Sequence, residues 1–308
     1  MEEFVRSAFR VVLRRDPEPE ALAWASAALE SGSLSRAALV SDLVGTDEFA
    51  RLRALEDAVA FAARARAGRI RPRELTAPAW SDERLIEIPW VLARYRGERR
   101  VLDVGYANAS RAYLEALAAA VPGEIVGVDL VEARVEGMRS VVGDVRSLPF
   151  ADGSFDVVFC VSTIEHVGRN NRVYGARDEY DETGISAALR ELRRVGLRIL
   201  LTVPTGAEED QGWFVQFPVA TWRRLFTLAG LEIAEEEVYE LDRSGWSNVS
   251  GEAEGASYGA RGAAASAVYC VELRASSNAA LTDSAGTGSS GSGSRGGGDP
   301  AVQAPWSG

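Results

Sequence analysis

The chain has 308 residues, room for about two domains, and 46% of them are apolar, enough for a sizeable core. Thirty-four basic residues against 45 acidic leave a net charge of −11, which argues against a nucleic-acid partner held by phosphate neutralisation and against a basic membrane-surface helix. Every basic residue is an arginine, so lysine Schiff bases, P-loop lysines and lysine general bases are excluded, while one histidine, His166, and two cysteines, Cys160 and Cys270, are too few for a zinc site or a disulfide framework.

Residues 1–60 read as a small all-α domain. Phe4, Val5, Ala8, Phe9, Val12 and Leu13 recur at three and four and form one apolar stripe. Asp16 is placed to cap and Pro17 to start a second helix carrying Leu22, Trp24, Ala25 and Leu29. Ser35 opens a third helix with Leu39, Val40, Leu43 and Val44, and Thr46 caps a fourth. The wording of this segment, an aromatic-Arg start, R-D-P, a Trp and a closing D-E-F, resembles a small bacterial helical module related to the phycobilisome linker domain. That resemblance implies packing or a protein partner and no catalytic role.

Arg and Pro interspersed over 61–81 predict a linker. From 82 a helical pattern leads into short β-branched runs: VLDVG at 101, IVGVDL at 125, SVVGDV at 140, FDVVFCV at 155, LRILLTV at 197, LEIAEEEVYEL at 231 and SAVYCVEL at 266. Helical patterns at 108–120, 184–195 and 218–229 separate several of them. Strands apolar on both faces and spaced by helices predict a seven-stranded, mostly parallel sheet covered on both sides, with the final strand antiparallel. Only about nine residues join the second strand to the third, too few for the usual crossover helix. Residues 276–308 are so rich in Gly and Ser that a disordered tail is expected, as a flexible tether or an inert extension. No run reaches the ~18 apolar residues of a membrane span, and the start lacks a signal-peptide core, so a cytoplasmic protein is expected.

In a parallel sheet, ligands lie beyond the carboxyl ends of the strands. VLDVGYANAS places Asp103 two residues before Gly105, with Ala107 and Ala109 where a dinucleotide turn would carry glycines. An acid at that place suits a ligand with a positive amino group and favours S-adenosyl-L-methionine over a nicotinamide cofactor. Asp129 ends the second strand, 24 residues beyond Gly105, where a carboxylate accepts both ribose hydroxyls, and Leu130 can cover an adenine face. Asp144 can accept from the adenine amino group while the Val145 amide donates to the ring. A turn-capping or helix-capping role is the structural alternative for each aspartate.

VLDVG, VGVDL, GDVRSLPFADGSFDVVFCVSTIEHVG and VPTG, in this order and spacing, resemble class I S-adenosylmethionine-dependent methyltransferases over residues from about 85 to 275. The resemblance implies a Rossmann-like sheet. It also implies that Asp103, Gly105, Tyr106 and Ala107 border the methionine portion, Asp129 and Leu130 the ribose and adenine, Asp144 and Val145 the adenine, and Ser162 the floor near the sulfonium. Ala107 and Ala109 depart from the pattern, since Ala takes positive φ less cheaply than Gly.

Methyl transfer requires alignment of acceptor, methyl and sulfur, and removal of a proton from a hydroxyl acceptor. His166 is the candidate base, with loop orientation as its alternative role, and Glu165 is read as structural. Ser162 stands where related enzymes place a carboxylate ligand and no second histidine exists, so no metal is expected. Arg169, Tyr174, Arg177 and Trp213, amid polar loops, suit a sugar or glycan-like small-molecule acceptor, or an acidic group on it. The competing reading is a non-catalytic cofactor-binding or scaffold protein. A nicotinamide-dependent sugar enzyme lacks both GxGxxG and any Tyr-x-x-x-Lys pair.

Overall fold

In a computed structural model, which describes residues 1–68, 75–176, 180–260 and 265–276, the chain begins with helices α1 (Glu2–Val12), α2 (Pro19–Glu30) and α3 (Arg36–Val44). Val5, Ala8, Phe9 and Val12 of α1 close against Leu22, Ala25 and Leu29 of α2 and Leu39 and Leu43 of α3. Ser35 caps α3 by accepting the Ala38 N–H at 3.1 Å, and Thr46 caps α4 (Asp47–Arg66) by accepting the Phe49 N–H at 3.2 Å, both as expected. The start of α2 differs from expectation. Asp16 pairs with Arg10 at 2.7 Å instead of capping, and the helix begins at Pro19. Trp24 also departs: the buried face of α2 runs through Leu22, Ala25 and Leu29, and Trp24 is 64% exposed.

Helix α4 continues to Arg66, into the segment expected as a linker, and buries Ala62 and Ala65 in the core shared with α5 (Arg84–Arg94). Residues 69–74 of that segment, and the expected tail beyond Ser276, lie outside the described residues. Within α5 every residue from Leu85 to Arg94 is buried, including Pro89.

The sheet is built from β1 (Arg100–Val104), β2 (Glu124–Asp129), β3 (Arg139–Val142), β4 (Val157–Val161) and β5 (Arg198–Pro204). After a short hairpin, β6 (Glu209–Asp210) and β7 (Val215–Gln216), come β8 (Leu231–Leu241), β9 (Trp246–Val249) and β10 (Ala267–Ala275). Its order is β3-β2-β1-β4-β5-β10-β8-β9. Strands β1 to β5 pair in parallel, while β10 runs antiparallel between β5 and β8. All seven expected strands form, and the antiparallel one is the last in sequence. The four-residue β9, with Ser and Asn at its centre, adds an eighth that its weak strand propensity hides. It is bridged on its outer side by Ala77, whose N–H and carbonyl both bond the Trp246 backbone.

Alternation along the strands divides the core into two layers. Val101 and Phe159 face the side covered by α4, α5 and α6 (Arg111–Ala120), and Leu102 and Cys160 face the side covered by α7 (Gly184–Val195) and α8 (Val219–Leu228). The nine residues from β2 to β3 contain no helix, as their number predicts. Their path is fixed at Ala133, whose carbonyl accepts from the Tyr106 hydroxyl at 2.8 Å and the Ser140 hydroxyl at 2.7 Å.

Candidate cofactor and active site

Beyond the carboxyl ends of β1, β2, β3 and β4 lies a cavity of about 720 Å³, within the range of sites for small molecules, about 300–1,000 Å³. Gly105 turns the chain out of β1 at φ +81°, and its N–H donates to the Val128 carbonyl at 2.9 Å. A Cβ there would sit 2.3 Å from the Thr163 Oγ1, so both the dihedral and the space require glycine. A short 3-10 turn, Tyr106–Asn108, follows, and Ser110 caps α6.

That turn corrects three expectations. Ala107 and Ala109 are not among the residues of positive φ, so the departure from glycine carries no strain. The Ala107 N–H donates to Asp129 Oδ2 at 3.0 Å and does not line the cavity. Tyr106 is wholly buried with its hydroxyl on Ala133, in the core and not on the cavity wall.

Asp103, Gly105, Asp129, Leu130, Asp144, Val145 and Ser162 all line the cavity. Asp103 is 2% exposed, and its Oδ2 has no hydrogen-bond partner. Burial, with the Asp129 charge adding to it, pushes its carboxyl up to about 8. The Tyr113 hydroxyl opposes that shift, and a buried acid with one unpartnered oxygen on a cavity wall fits a ligand ammonium group. Asp129 holds the Ala107 and Val131 N–H groups, one on each oxygen, and retains further lone pairs. Asp144 differs from the simple adenine acceptor expected. Arg146 clasps it through its backbone N–H at 2.8 Å and Nη2 at 2.6 Å, and also reaches Asp181 at 3.0 Å. Burial alone would raise the Asp144 carboxyl, but the bonds from Arg146 outweigh it and hold the group below the usual carboxylate range.

Ser162 adopts φ +47°, a costly conformation for a non-glycine residue. Its N–H donates to the Thr202 carbonyl at 3.0 Å and its hydroxyl to Glu165 Oε1 at 2.7 Å, which fix it. Glu165 is 1% exposed. Next to it, His166 lines the cavity, with Nδ1 2.9 Å from the Trp213 carbonyl and its ring between Trp213, Tyr174 and Phe214. A carbonyl only accepts, so the Nδ1 carries the proton and Nε2 of the neutral ring is left as a lone-pair base. Nε2 is 3.8 Å from Glu165 Oε1.

Of the expected acceptor residues, Arg169 and Tyr174 line the cavity. Trp213 does not; it packs behind His166 at 5.2 Å and supplies the carbonyl that orients it. Arg177 lies outside the described residues. Sequence reasoning missed Arg84, Ile88, Tyr113 and Thr163 on the wall. Arg84 and Glu87, three apart on a helix otherwise apolar up to Ala93 and joined at 2.8 Å, were the legible signal. Among the described residues, no three His, Cys, Asp or Glu side chains gather to hold a metal ion, and no helix is long and apolar enough to cross a membrane.

Residues 102–196 match a family model described as a methyltransferase domain. No curated protein matches the chain. Similar solved structures include an S-adenosylmethionine-dependent methyltransferase from Methanosarcina mazei, 17% identical with a TM-score of 0.41 over 61% of this chain and 97% of that one. Another is the 1,6-didemethyltoxoflavin-N1-methyltransferase of Burkholderia thailandensis, 13% identical with a TM-score of 0.42 over 88% and 90% of the two chains. A third is the cyclase SpnF, 16% identical with a TM-score of 0.46 over 71% and 94%. The family match runs from β1 through α7, the part of the chain that supplies most of the cavity wall. It defines the class of that segment, a methyltransferase domain, and with it a methyltransferase activity that uses S-adenosyl-L-methionine.

Proposed function

We propose that this enzyme methylates a hydroxyl of a sugar or glycan-like small molecule, with His166 as the base. The observation that carries this reading is the bond from His166 Nδ1 to the Trp213 carbonyl, which leaves Nε2 as the acceptor on a ring that lines the cavity. When bound, the cofactor supplies an electrophilic methyl group on a sulfonium. Asp103 holds its ammonium group and Asp129 its ribose hydroxyls, with Leu130, Val145 and Asp144 about the adenine and Gly105 and Ser162 along the path to the sulfur. His166 removes the acceptor proton at Nε2, which lies 3.8 Å from Glu165 Oε1. Tyr174 supplies an aromatic edge, and Arg169 and Asn171 supply donors for acceptor hydroxyl groups. An extract incubated with isotopically labelled cofactor, followed by mass spectrometry, tests this: a label on a sugar oxygen is expected, and a label confined to nitrogen or carbon overturns it.

The scaffold reading, motivated by the two alanines and the short β2–β3 connection, loses the first of these motives, because Ala107 and Ala109 sit in ordinary conformations. For residues 1–60, whose first three helices have their own apolar cluster, the proposed role is docking to a protein partner in the same glycan-synthesis setting.

A further inference from the structure

The methionine portion of the cofactor carries a carboxylate as well as an ammonium group, and Asp103 answers only the second. A carboxylate entering a partly apolar cavity needs a cation with open donors. Three arginines line this cavity. Arg146 is committed to Asp144 and Asp181. Arg169 bonds the Gly168 carbonyl, pairs with Asp210 at 3.3 Å and lies over the Tyr180 ring.

Arg84 is different. Its Nη1 donates to Glu87 Oε2 at 2.8 Å, and among the described residues its Nε and Nη2 have no hydrogen-bond partner. Its side chain keeps 40% of its surface accessible, at the head of a helix whose following ten residues are all buried, and it belongs to the cavity wall. Glu87, in contrast, has no exposure, and its Oε1 has no partner. Burial pushes its carboxyl up to about 8, against the pull of the Arg84 charge. Glu165 stands nearby with one oxygen taken by Ser162.

We propose that Arg84 binds the carboxylate of the cofactor's methionine portion through its open Nε and Nη2 donors, forming with Asp103 a two-charge clamp on the zwitterionic end. A forked guanidinium–carboxylate contact matches in geometry and charge where a lysine would not. The assignment does not depend on the acceptor.

The test is isothermal titration of the full chain with S-adenosylhomocysteine and with its decarboxylated analogue, which keeps the ammonium group. The wild-type protein is expected to bind S-adenosylhomocysteine about ten- to a hundredfold more tightly than the analogue. Arg84→Gln closes that gap to within about twofold by weakening S-adenosylhomocysteine alone. Arg84→Lys, which keeps the charge and loses the fork, gives an intermediate gap and serves if the glutamine variant does not fold. A gap as wide in both variants as in the wild type, or no gap in the wild type, overturns the assignment. A wild-type protein that binds neither ligand overturns the cofactor assignment itself.

Discussion

His166 Nδ1 and the Trp213 carbonyl oxygen lie 2.9 Å apart, and this contact sets which ring nitrogen is the base. His166→Ala is expected to lower kcat by about 10² to 10⁴, while S-adenosylhomocysteine affinity stays within about twofold. Transfer of labelled methyl, with titration of the same variant, checks both. Turnover that survives the substitution would make His166 a positioning residue.

Asp103 gives a pH dependence whose sign is fixed. Its carboxyl is near 8 in the folded chain and ordinary when unfolded, so as pH rises from about 4 to 8 the unfolded state loses a proton that the folded state keeps, and stability falls. Asp103→Asn therefore raises Tm at pH 8, by an amount worth on the order of 1–4 kcal/mol, yet weakens S-adenosylhomocysteine. Wild-type affinity rises from pH 6 to 8 with proton release, measurable by titration in buffers of different ionisation enthalpy. A flat affinity profile would remove the ammonium role.

Asp129 serves two purposes at once. Its oxygens already hold the Ala107 and Val131 amides, and the remaining lone pairs are those assigned to the ribose. Asp129→Ala should cost about 1.5–3 kcal/mol of cofactor affinity for each ribose bond lost and should loosen the turn after β1. Unchanged affinity by calorimetry would transfer the ribose to another group.

Gly105→Ala places a methyl 2.3 Å from the Thr163 Oγ1 at φ +81°. A loss of about 2 kcal/mol or more is expected from clash and backbone strain together. Adding Thr163→Ala should recover the clash alone and leave about 1 kcal/mol of backbone cost. Denaturant midpoints of the three variants measure this, and full recovery in the double variant would show that the dihedral is harmless.

The sheet was legible because its strands are β-branched, apolar on both faces and separated by helical periods, and the caps Ser35 and Thr46 were legible because each is a hydroxyl followed three residues later by the amide it accepts. Asp103 and Asp129 were legible because a strand end fixes where a side chain emerges, and Ser162 only through the family resemblance. Asp16 was misread because its partner, Arg10, lies on the previous helix, a contact local preference does not encode. Tyr106 was misread because the residue after a strand can turn to either side, and the Ala133 carbonyl that draws it inward lies 27 positions along the chain. Arg84 escaped notice for a similar reason: α5 reads as a lead-in to the sheet, and only its packing beneath β4 and β5 brings its first turn to the cavity.

The Ala77 bridge on Trp246 has a bearing on self-association. A four-residue margin of the sheet would otherwise present open amides and carbonyls to any passing extended chain, and here the strand's first residue has its backbone satisfied from within the molecule, while its indole donates to the Ser81 carbonyl at 3.1 Å. Docking of a second copy by strand addition along that rim is thereby discouraged.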